Sequence, residues 1–351
     1  MRNFVMVILI IIFGISVSST GFSAKEFKQV DRWNHGDREI YGTLAIPVIT
    51  EDGNIITCVG KKGFVLIAKD RVDLFAPLGE GPNQVWMAGA TALYGNDIAF
   101  LMMGHKMKIF TKKDNTYKES KTRWFKQGYY APTIRDILFI EKKWFFAGLT
   151  PKKGDNTGSI EALLEVYDDE GKPIKTLIEK EFKPKSSYHN MDYYIVANKD
   201  PKKRVFLFSE YELKAYEIST DKLELVKEWN LETPGFYKKM PDDYYMSTKK
   251  NYAESFMRYL SEWKTTYSRI IEVAVEDGYL VLQIRTCDEK QKKYAMLFYN
   301  VDTLKLEKTI FTDDFFFGAR DGKYYFYANG NPGRDEGVDE CIINIFAFEE
   351  K

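Results

Sequence analysis

The segment from Asn54 to Trp86 reads NIITCVGKKGFVLIAKDRVDLFAPLGEGPNQVW. Its first part contains three short apolar runs separated by Gly, Lys and Asp residues. Short runs rich in Val, Ile and Phe that are bounded by turn residues are typical of β-strands. The segment then reaches the turn Gly79 to Pro82. Glycine permits a positive φ and Pro82 lacks the amide that strand pairing needs, so we predict that one group of strands ends here and the next begins.

The same pattern recurs along the rest of the chain. Runs of this kind come in sets of four, and each set occupies roughly 40 to 50 residues, which is the spacing of propeller blades. Five sets are complete, and the sixth has three strands before the chain ends at Lys351. We therefore predict an all-β fold, a six-bladed β-propeller of four-stranded blades. The segment from about Lys25 to Trp33 would close the sixth blade beside residues 342–348, because an unpaired edge would invite aggregation.

The strand pattern and the turn formed by Gly79, Glu80, Gly81 and Pro82 resemble the six-bladed β-propeller proteins of the TolB/NHL-like group. Many exported bacterial members of that group carry a Gly-x-Gly-Pro-Gly-Glu-Phe turn early in the repeat. The continuation NQVW departs from that motif. The resemblance implies the fold and export from the cytoplasm, and it implies no single activity because the group is functionally mixed.

Composition argues against a nucleic-acid-binding protein. Among 351 residues, 51 Lys and Arg balance 51 Asp and Glu, whereas a nucleic-acid binder has a basic excess. Hydrophobic residues make up 44%, which is enough for a packed core. We therefore predict that no nucleic acid is a partner.

Residues 1–24 have the order of a secretory signal peptide. Arg2 precedes an apolar run from Phe4 to Ile15, and small and polar residues follow. We predict a mature protein of residues 25–351, periplasmic or extracellular, with cleavage after Ala24, Gly21 or Ser18. The alternative is an uncleaved membrane anchor, since the apolar run approaches the length that spans a bilayer. Only in that case would the membrane be a partner and the protein an anchored assembly subunit.

One insertion, about 236–264, has helical rather than strand periodicity. Ser247 could cap a helix from Thr248 to Trp263, in which Tyr252, Phe256 and Leu260 share a stripe with Trp263. The stripe would either pack on the propeller or cap the mouth of a ligand site.

The candidate binding residues are aromatic, imidazole, amide and guanidinium side chains in or beside the loops. In a propeller, the loops between blades and the loops between second and third strands emerge on the same face, which we call the loop-rich face. We predict that ligand contacts come from His105, Tyr130, Tyr188, His189, Arg285, Asn331 and Trp263. Gly79, Gly81 and Pro82 are predicted to be structural turn residues.

Three cysteines, Cys58, Cys287 and Cys341, are widely spaced, so at most one intramolecular disulfide can form. Cys287 and Cys341 would lie on the loop-rich face of neighbouring blades, and we predict them as the pair if a disulfide forms. The acidic loop Asn329–Glu340 lacks the spacing of a local calcium loop, which favours a solvated loop.

These patterns favour a non-enzymatic, exported binding or scaffold module. It would hold a protein, a peptide or a glycan through its loop-rich face, without a cofactor. The alternative is a calcium-type, metal-assisted hydrolase or lyase with its site at the mouth of the central channel. No Gly-x-Ser-x-Gly motif or other catalytic motif is found in the sequence. Because a fold does not imply a function, the hypotheses must be separated by the site.

Overall fold

Six four-stranded antiparallel sheets form the part of the chain that the structure describes. The structure is a computed structural model, and it describes residues 25–36, 44–59, 62–86, 88–102, 106–125, 134–151, 160–181, 193–198, 203–240, 264–288, 290–328 and 341–349. The first strands of neighbouring sheets contact one another around a ring, and the later strands of each sheet extend outwards. The predicted six-bladed β-propeller is confirmed.

The first three blades follow one another along the chain after the N-terminal strand, β1 (Glu26–Asn34). Blade one contains β2 (Leu44–Ile49), β3 (Ile55–Val59), β4 (Gly63–Ile67) and β5 (Val72–Pro77). Blade two contains β6 (Ala88–Tyr94), β7 (Asp97–Met102), β8 (Lys106–Lys113) and β9 (Thr116–Trp124). Blade three contains β10 (Ile134–Ile140), β11 (Lys143–Pro151), β12 (Ile160–Asp168) and β13 (Pro173–Glu181).

The remaining blades complete the ring. Blade four contains β14 (Tyr193–Asn198), β15 (Arg204–Ser209), β16 (Lys214–Ser219) and β17 (Glu224–Asn230). Blade five contains β18 (Arg269–Glu276), β19 (Tyr279–Arg285), β20 (Tyr294–Asn300) and β21 (Leu306–Thr312). Blade six contains β22 (Phe315–Arg320), β23 (Lys323–Tyr327), β24 (Ile342–Glu349) and, as its fourth strand, β1.

The pairing of β1 with β24 closes the ring. The two strands are antiparallel, and the register runs from Glu26 opposite Glu349 to Asn34 opposite Ile342. The Phe27 ring stacks on Phe346 with centroids 5.1 Å apart, so the closing strand also carries apolar contacts. The predicted closure by the N-terminal segment is confirmed, and it removes the edge that β24 would otherwise expose.

Burial changes from the middle of each blade to its rim. Every residue of β4 and β15 is buried, because both faces of a middle strand are covered by neighbouring blades. The outer strand β17 has no buried residue. Between blades one and two, the Phe64 and Phe100 rings lie 4.2 Å apart. The cores of the propeller therefore lie between blades, which explains the continuous apolar runs of the second and third strands.

The Gly79–Pro82 turn lies between β5 and β6, and Lys108 holds the loop that contains it. The Lys108 ammonium donates to the carbonyl oxygens of Gly81 at 2.7 Å and Gln84 at 2.9 Å, and to Glu119 at 2.8 Å. Gly79 has a φ of 151°, and a Cβ there would lie 2.2 Å from Gln84 Oε1. The loop is thus a folded connection between blades one and two, and the positive φ of Gly79 is what requires a glycine there.

The described chain contains one short helix, α1 (Lys264–Thr266). The helix predicted from Thr248 to Trp263, most of the insertion at 236–264 and the predicted leader at 1–24 lie outside the described residues. Among the described residues, no helix is long and apolar enough to cross a membrane.

The cysteines are free thiols, so the Cys287–Cys341 disulfide does not form in this structure. Each thiol has its own surroundings. Cys341 is buried in the core cluster beside blade six. The Cys287 thiol donates to the Tyr267 carbonyl oxygen at 3.1 Å. The two residues share the loop-rich face, as predicted, and each side chain is held by contacts other than a disulfide bond.

Candidate functional site

A cavity lies on the propeller axis, and all six first strands line it. Its volume is about 380 Å³. The walls come from the second halves of β2, β6, β10, β14, β18 and β22. Most lining side chains are apolar, among them Val48, Leu138, Val196 and Phe317. The cavity therefore opens towards the ends of the first strands, which is the face opposite the loop-rich one. We call it the channel cavity.

Two carboxyl side chains enter this apolar wall at equivalent places. Asp136 on β10 follows a β-bulge and lies opposite Ala147. Glu272 on β18 also follows a bulge and lies opposite Gln283. A bulge inserts one extra residue and re-aims the side chains that follow it. Blades three and five thus each supply one acid to the channel cavity, and blade four separates them.

Backbone amides hold both carboxyls in position. Asp136 accepts hydrogen bonds from the amides of Ile137 and Ile195, each at 2.9 Å. Ile195 belongs to β14, so the Asp136 carboxyl also joins blade three to blade four. Glu272 accepts a hydrogen bond from the Val273 amide at 3.1 Å. One oxygen of Glu272 and the remaining lone pairs of Asp136 are left for other partners.

The enclosing wall disfavours the charged form of both acids. Burial raises the pKa of Asp136 to about 7, against a smaller opposing effect of its two amide bonds. Burial, followed by the negative charge of Asp136, raises the pKa of Glu272 well above its ordinary value. Like charges in one low-dielectric cavity repel, so ionising one of the two carboxyls disfavours ionising the other.

Two further polar side chains line the channel cavity. Thr91 on β6 is 5% exposed, and its hydroxyl has no hydrogen-bond partner among the described residues. Arg320 lies at the end of β22, at the open end of the cavity. Its guanidinium is 3.5 Å from Glu51 and 3.4 Å from the Ile49 carbonyl oxygen, which holds it against blade one.

A second concave surface lies on the loop-rich face of blade four. This groove has a volume of about 250 Å³ and is lined by residues 211–214, 230–231 and 233 and by Tyr237 and Lys239. The Tyr237 hydroxyl donates to the Tyr211 carbonyl oxygen at 2.9 Å. Lys214 pairs with Glu228 and lies 5.0 Å from the Tyr216 ring centroid. We call this surface the blade-four groove.

Of the predicted ligand residues, the structure describes Arg285. It ends β19 opposite Tyr294, on the loop-rich face and away from the channel cavity. Burial raises the pKa of the nearby Cys287 thiol, and the charge of Arg285 is the first of the effects that oppose this rise. His105, Tyr130, Tyr188, His189, Asn331 and Trp263 lie outside the described residues, so their predicted roles stay predictions.

Sequence reasoning missed the two channel acids. Their signal was a carboxyl that adjoins the apolar residues of a first strand: Asp136 precedes ILFI in the run TIRDILFIE, and Glu272 lies between II and VAV in the run RIIEVAVEDG. A carboxyl in such a run needs a partner or a site, because burying it unpaired is unfavourable. Recognising it required knowing which strand of each blade faces the axis.

The described wall of the channel cavity offers fewer oxygen ligands than the calcium site of the hydrolase hypothesis requires. Calcium takes six to eight oxygen ligands. The described wall offers Asp136, Glu272 and the Thr91 hydroxyl, and backbone amides already occupy part of the carboxyl lone pairs. Within the described ranges, no group of three or more His, Cys, Asp or Glu side chains is arranged to hold a metal.

Comparisons with known proteins find solved structures that have the same fold, but they find no family to which the chain can be assigned. No family model matches the chain, and no curated protein matches it in sequence. A Bacteroides fragilis protein described as an exported protein superposes with a TM-score of 0.58 at 13% identity, covering 93% of this chain and 95% of its own. A member of the DUF4221 family from Bacteroides vulgatus superposes with a TM-score of 0.59 at 11% identity, covering 94% of this chain and 99% of its own.

A Thermus thermophilus protein described as an oxidoreductase of the glucose dehydrogenase type gives a TM-score of 0.52. Its identity is 10%, with 92% of this chain and 99% of that chain covered. At such low identities the likenesses show the propeller fold alone. The class that fold and site define is therefore a six-bladed propeller with an acid-bearing axial cavity.

Proposed function

We propose that this protein is an exported binding module that holds a protein, peptide or glycan on its loop-rich face, and that it belongs with the TolB/NHL-like propellers. The predicted leader and the exported Bacteroides fragilis neighbour support export. The Gly79–Pro82 turn and the six-bladed ring support the group assignment.

The observation that carries the binding function is the blade-four groove. It combines tyrosine and lysine side chains in one concave surface, and tyrosine is enriched at binding surfaces. The backbone of the groove is firm, because Tyr237 bonds to Tyr211 and the Leu231 amide donates to the Leu213 carbonyl oxygen at 2.9 Å. A surface already in its binding shape loses little entropy when a ligand docks.

The groove also lies beside the connection between blades four and five. Residues 231–240 and α1 form the described ends of that connection, and Lys238 and Ser268 are joined there by a hydrogen bond of 2.9 Å. Tyr237 and Lys239, in the described part of the insertion at 236–264, line the groove, so a ligand held there would contact that part of the insertion.

Arrays of peptides and glycans probed with the mature protein test this function. Lys239→Glu reverses a charge in the groove, and we expect it to weaken binding of any retained probe at least ten-fold. Lys323→Glu, at the exposed start of β23 on the opposite face, is the matched control and should bind as the wild type does. Equal binding by both variants, or no binding to either array, would contradict the proposal.

Export has its own test. The N-terminus of protein recovered from cells should lie between Ser19 and Lys25, after removal of the leader. Retention of Met1 or Arg2 would instead support the anchored alternative.

A further inference from the structure

We propose that the channel cavity is a second binding site, specific for a small organic ammonium ion with an apolar body. The ammonium group would bind between Asp136, Glu272 and Thr91, and the hydrocarbon part would contact the apolar wall. This site lies on the other side of the ring from the blade-four groove, and the inference does not rest on the proposed function.

The dimensions and chemistry of the cavity carry the first part of the argument. A volume of about 380 Å³ is within the range of small-molecule sites, which are mostly apolar with a few placed polar groups. Here the polar groups that line the cavity come from three blades: Thr91 from blade two, Asp136 from blade three and Glu272 from blade five. The surrounding wall is formed by aliphatic and aromatic side chains from all six blades.

The number of acceptors carries the second part. A primary ammonium has three N–H donors and no acceptor. Two carboxyls and one hydroxyl are three acceptors, and the Thr91 hydroxyl is buried without a partner among the described residues. A buried polar group that lacks a hydrogen bond is unfavourable, so a donor that reaches Thr91 is stabilising. The backbone amides that fix Asp136 and Glu272 hold these acceptors in place before the ligand arrives.

The charge of the cavity carries the third part. Among the described residues, the ionisable groups that line it are the two acids and Arg320, and Glu51 and the Ile49 carbonyl hold the Arg320 guanidinium at the open end. Two acids in an apolar enclosure attract a cation and repel an anion. A bound ammonium would also relieve the repulsion between the acids, so its binding should release protons near neutral pH.

Isothermal titration of the mature protein with 2-phenylethylammonium tests the proposal. Its neutral isostere 2-phenylethanol and calcium chloride are the competing probes. In the titrations we expect the ammonium to bind and the alcohol to bind at least ten-fold more weakly. In thermal melts with and without calcium chloride, we expect calcium to leave the melting temperature unchanged. Titration in two buffers of different ionisation enthalpy should show proton release on binding.

Variants locate the site. Asp136→Asn, Glu272→Gln and Thr91→Val should each weaken ammonium binding, the two acid variants by at least ten-fold. Glu170→Gln, at an exposed turn, is the matched control and should bind normally. No binding of the ammonium to the wild type, stronger stabilisation by calcium, or affinity unchanged in the acid variants would overturn the proposal. If a variant does not fold, the wild-type comparison of ammonium, alcohol and calcium and the proton release still decide it.

Discussion

The Arg269 guanidinium donates to the Glu210 carboxylate over 2.7 Å, and both side chains are buried between blades four and five. The Ile270 amide also donates to the Glu210 carbonyl oxygen at 2.7 Å. Burial alone would lower the pKa of Arg269, but the neighbouring Glu210 raises it above its ordinary value. One glutamate thus joins two blades through its side chain and its backbone.

Removing the charge of Glu210 should destabilise the ring. In Glu210→Gln the Arg269 charge stays buried without its counter-ion, which costs about 3 to 5 kcal/mol. Urea unfolding of the variant and the wild type at pH 7 measures the loss. Lys69→Gln breaks the exposed pair of Lys69 with Asp31 (2.9 Å) and is the control, with a much smaller expected loss. Equal losses of unfolding free energy in both variants would show that the buried pair stabilises the protein no more than the exposed pair does.

Lys108→Met should loosen the Gly79–Pro82 turn. The change leaves two carbonyl oxygens and the Glu119 carboxylate without their donor, and we expect a loss of about 3 kcal/mol. Hydrogen exchange should show faster exchange at the Gly81 amide, which donates to Gln84, and at the Asn83 amide, which donates to Glu119 on β9. Lys106→Met, on the same strand, should leave both amides protected. Unchanged exchange in Lys108→Met would contradict this role.

Asp136 should make stability depend on pH. Its pKa is about 7 in the folded protein and about 3.9 in an unfolded chain, so its contribution is fully present below about pH 4 and is lost as the pH rises through 7. The full effect is about 4 kcal/mol, taken from the two pKa values. Unfolding free energies of the wild type and of Asp136→Asn should be measured at pH 4, 5.5 and 7. As the pH rises, the wild type should lose stability relative to the variant. A difference that is constant with pH would show that Asp136 ionises normally.

Deleting residues 25–34 should leave the outer edge of β24 without a partner strand. The exposed edge from Ile342 to Glu349 could then pair with another molecule, so we expect aggregation that light scattering detects. The milder change Phe27→Ala removes ring contacts to Phe346 and Phe348 and keeps the backbone pairing. It should lower stability without aggregation. A truncated protein that stays monomeric with an unchanged melting temperature would contradict this prediction.

The architecture was predictable because its signals are local. Apolar runs such as Phe64–Lys69 and turns such as Asp321–Gly322 are short-range patterns, and their repetition sets the number of blades. The closing role of β1 followed from counting strands. Because an unpaired sheet edge invites aggregation, the N-terminal segment was the expected partner for the last blade.

The site was less predictable because its residues meet across the ring. Asp136 and Glu272 are far apart in sequence, and their common position after a bulge appears only when the registers are compared. The structural use of Lys108 was also missed, since a lysine in a strand usually faces water. The state of the cysteines was not predictable for the same reason. Cys287 and Cys341 share a face, but each thiol is held by its own local contacts and not by a disulfide bond.

The direction of β1 sets how the molecule would stand on a surface. Glu26 pairs with Glu349, at the end of β24, so the chain enters the ring on the face opposite the loop-rich one. A retained leader would therefore be attached at that side of the rim. The blade-four groove would then face away from the bilayer. The channel cavity, which opens towards the same side as Glu26, would look towards the lipid. A tag or an immobilising linker placed before residue 25 would orient the protein in the same way and leave the loop-rich face free for solution ligands.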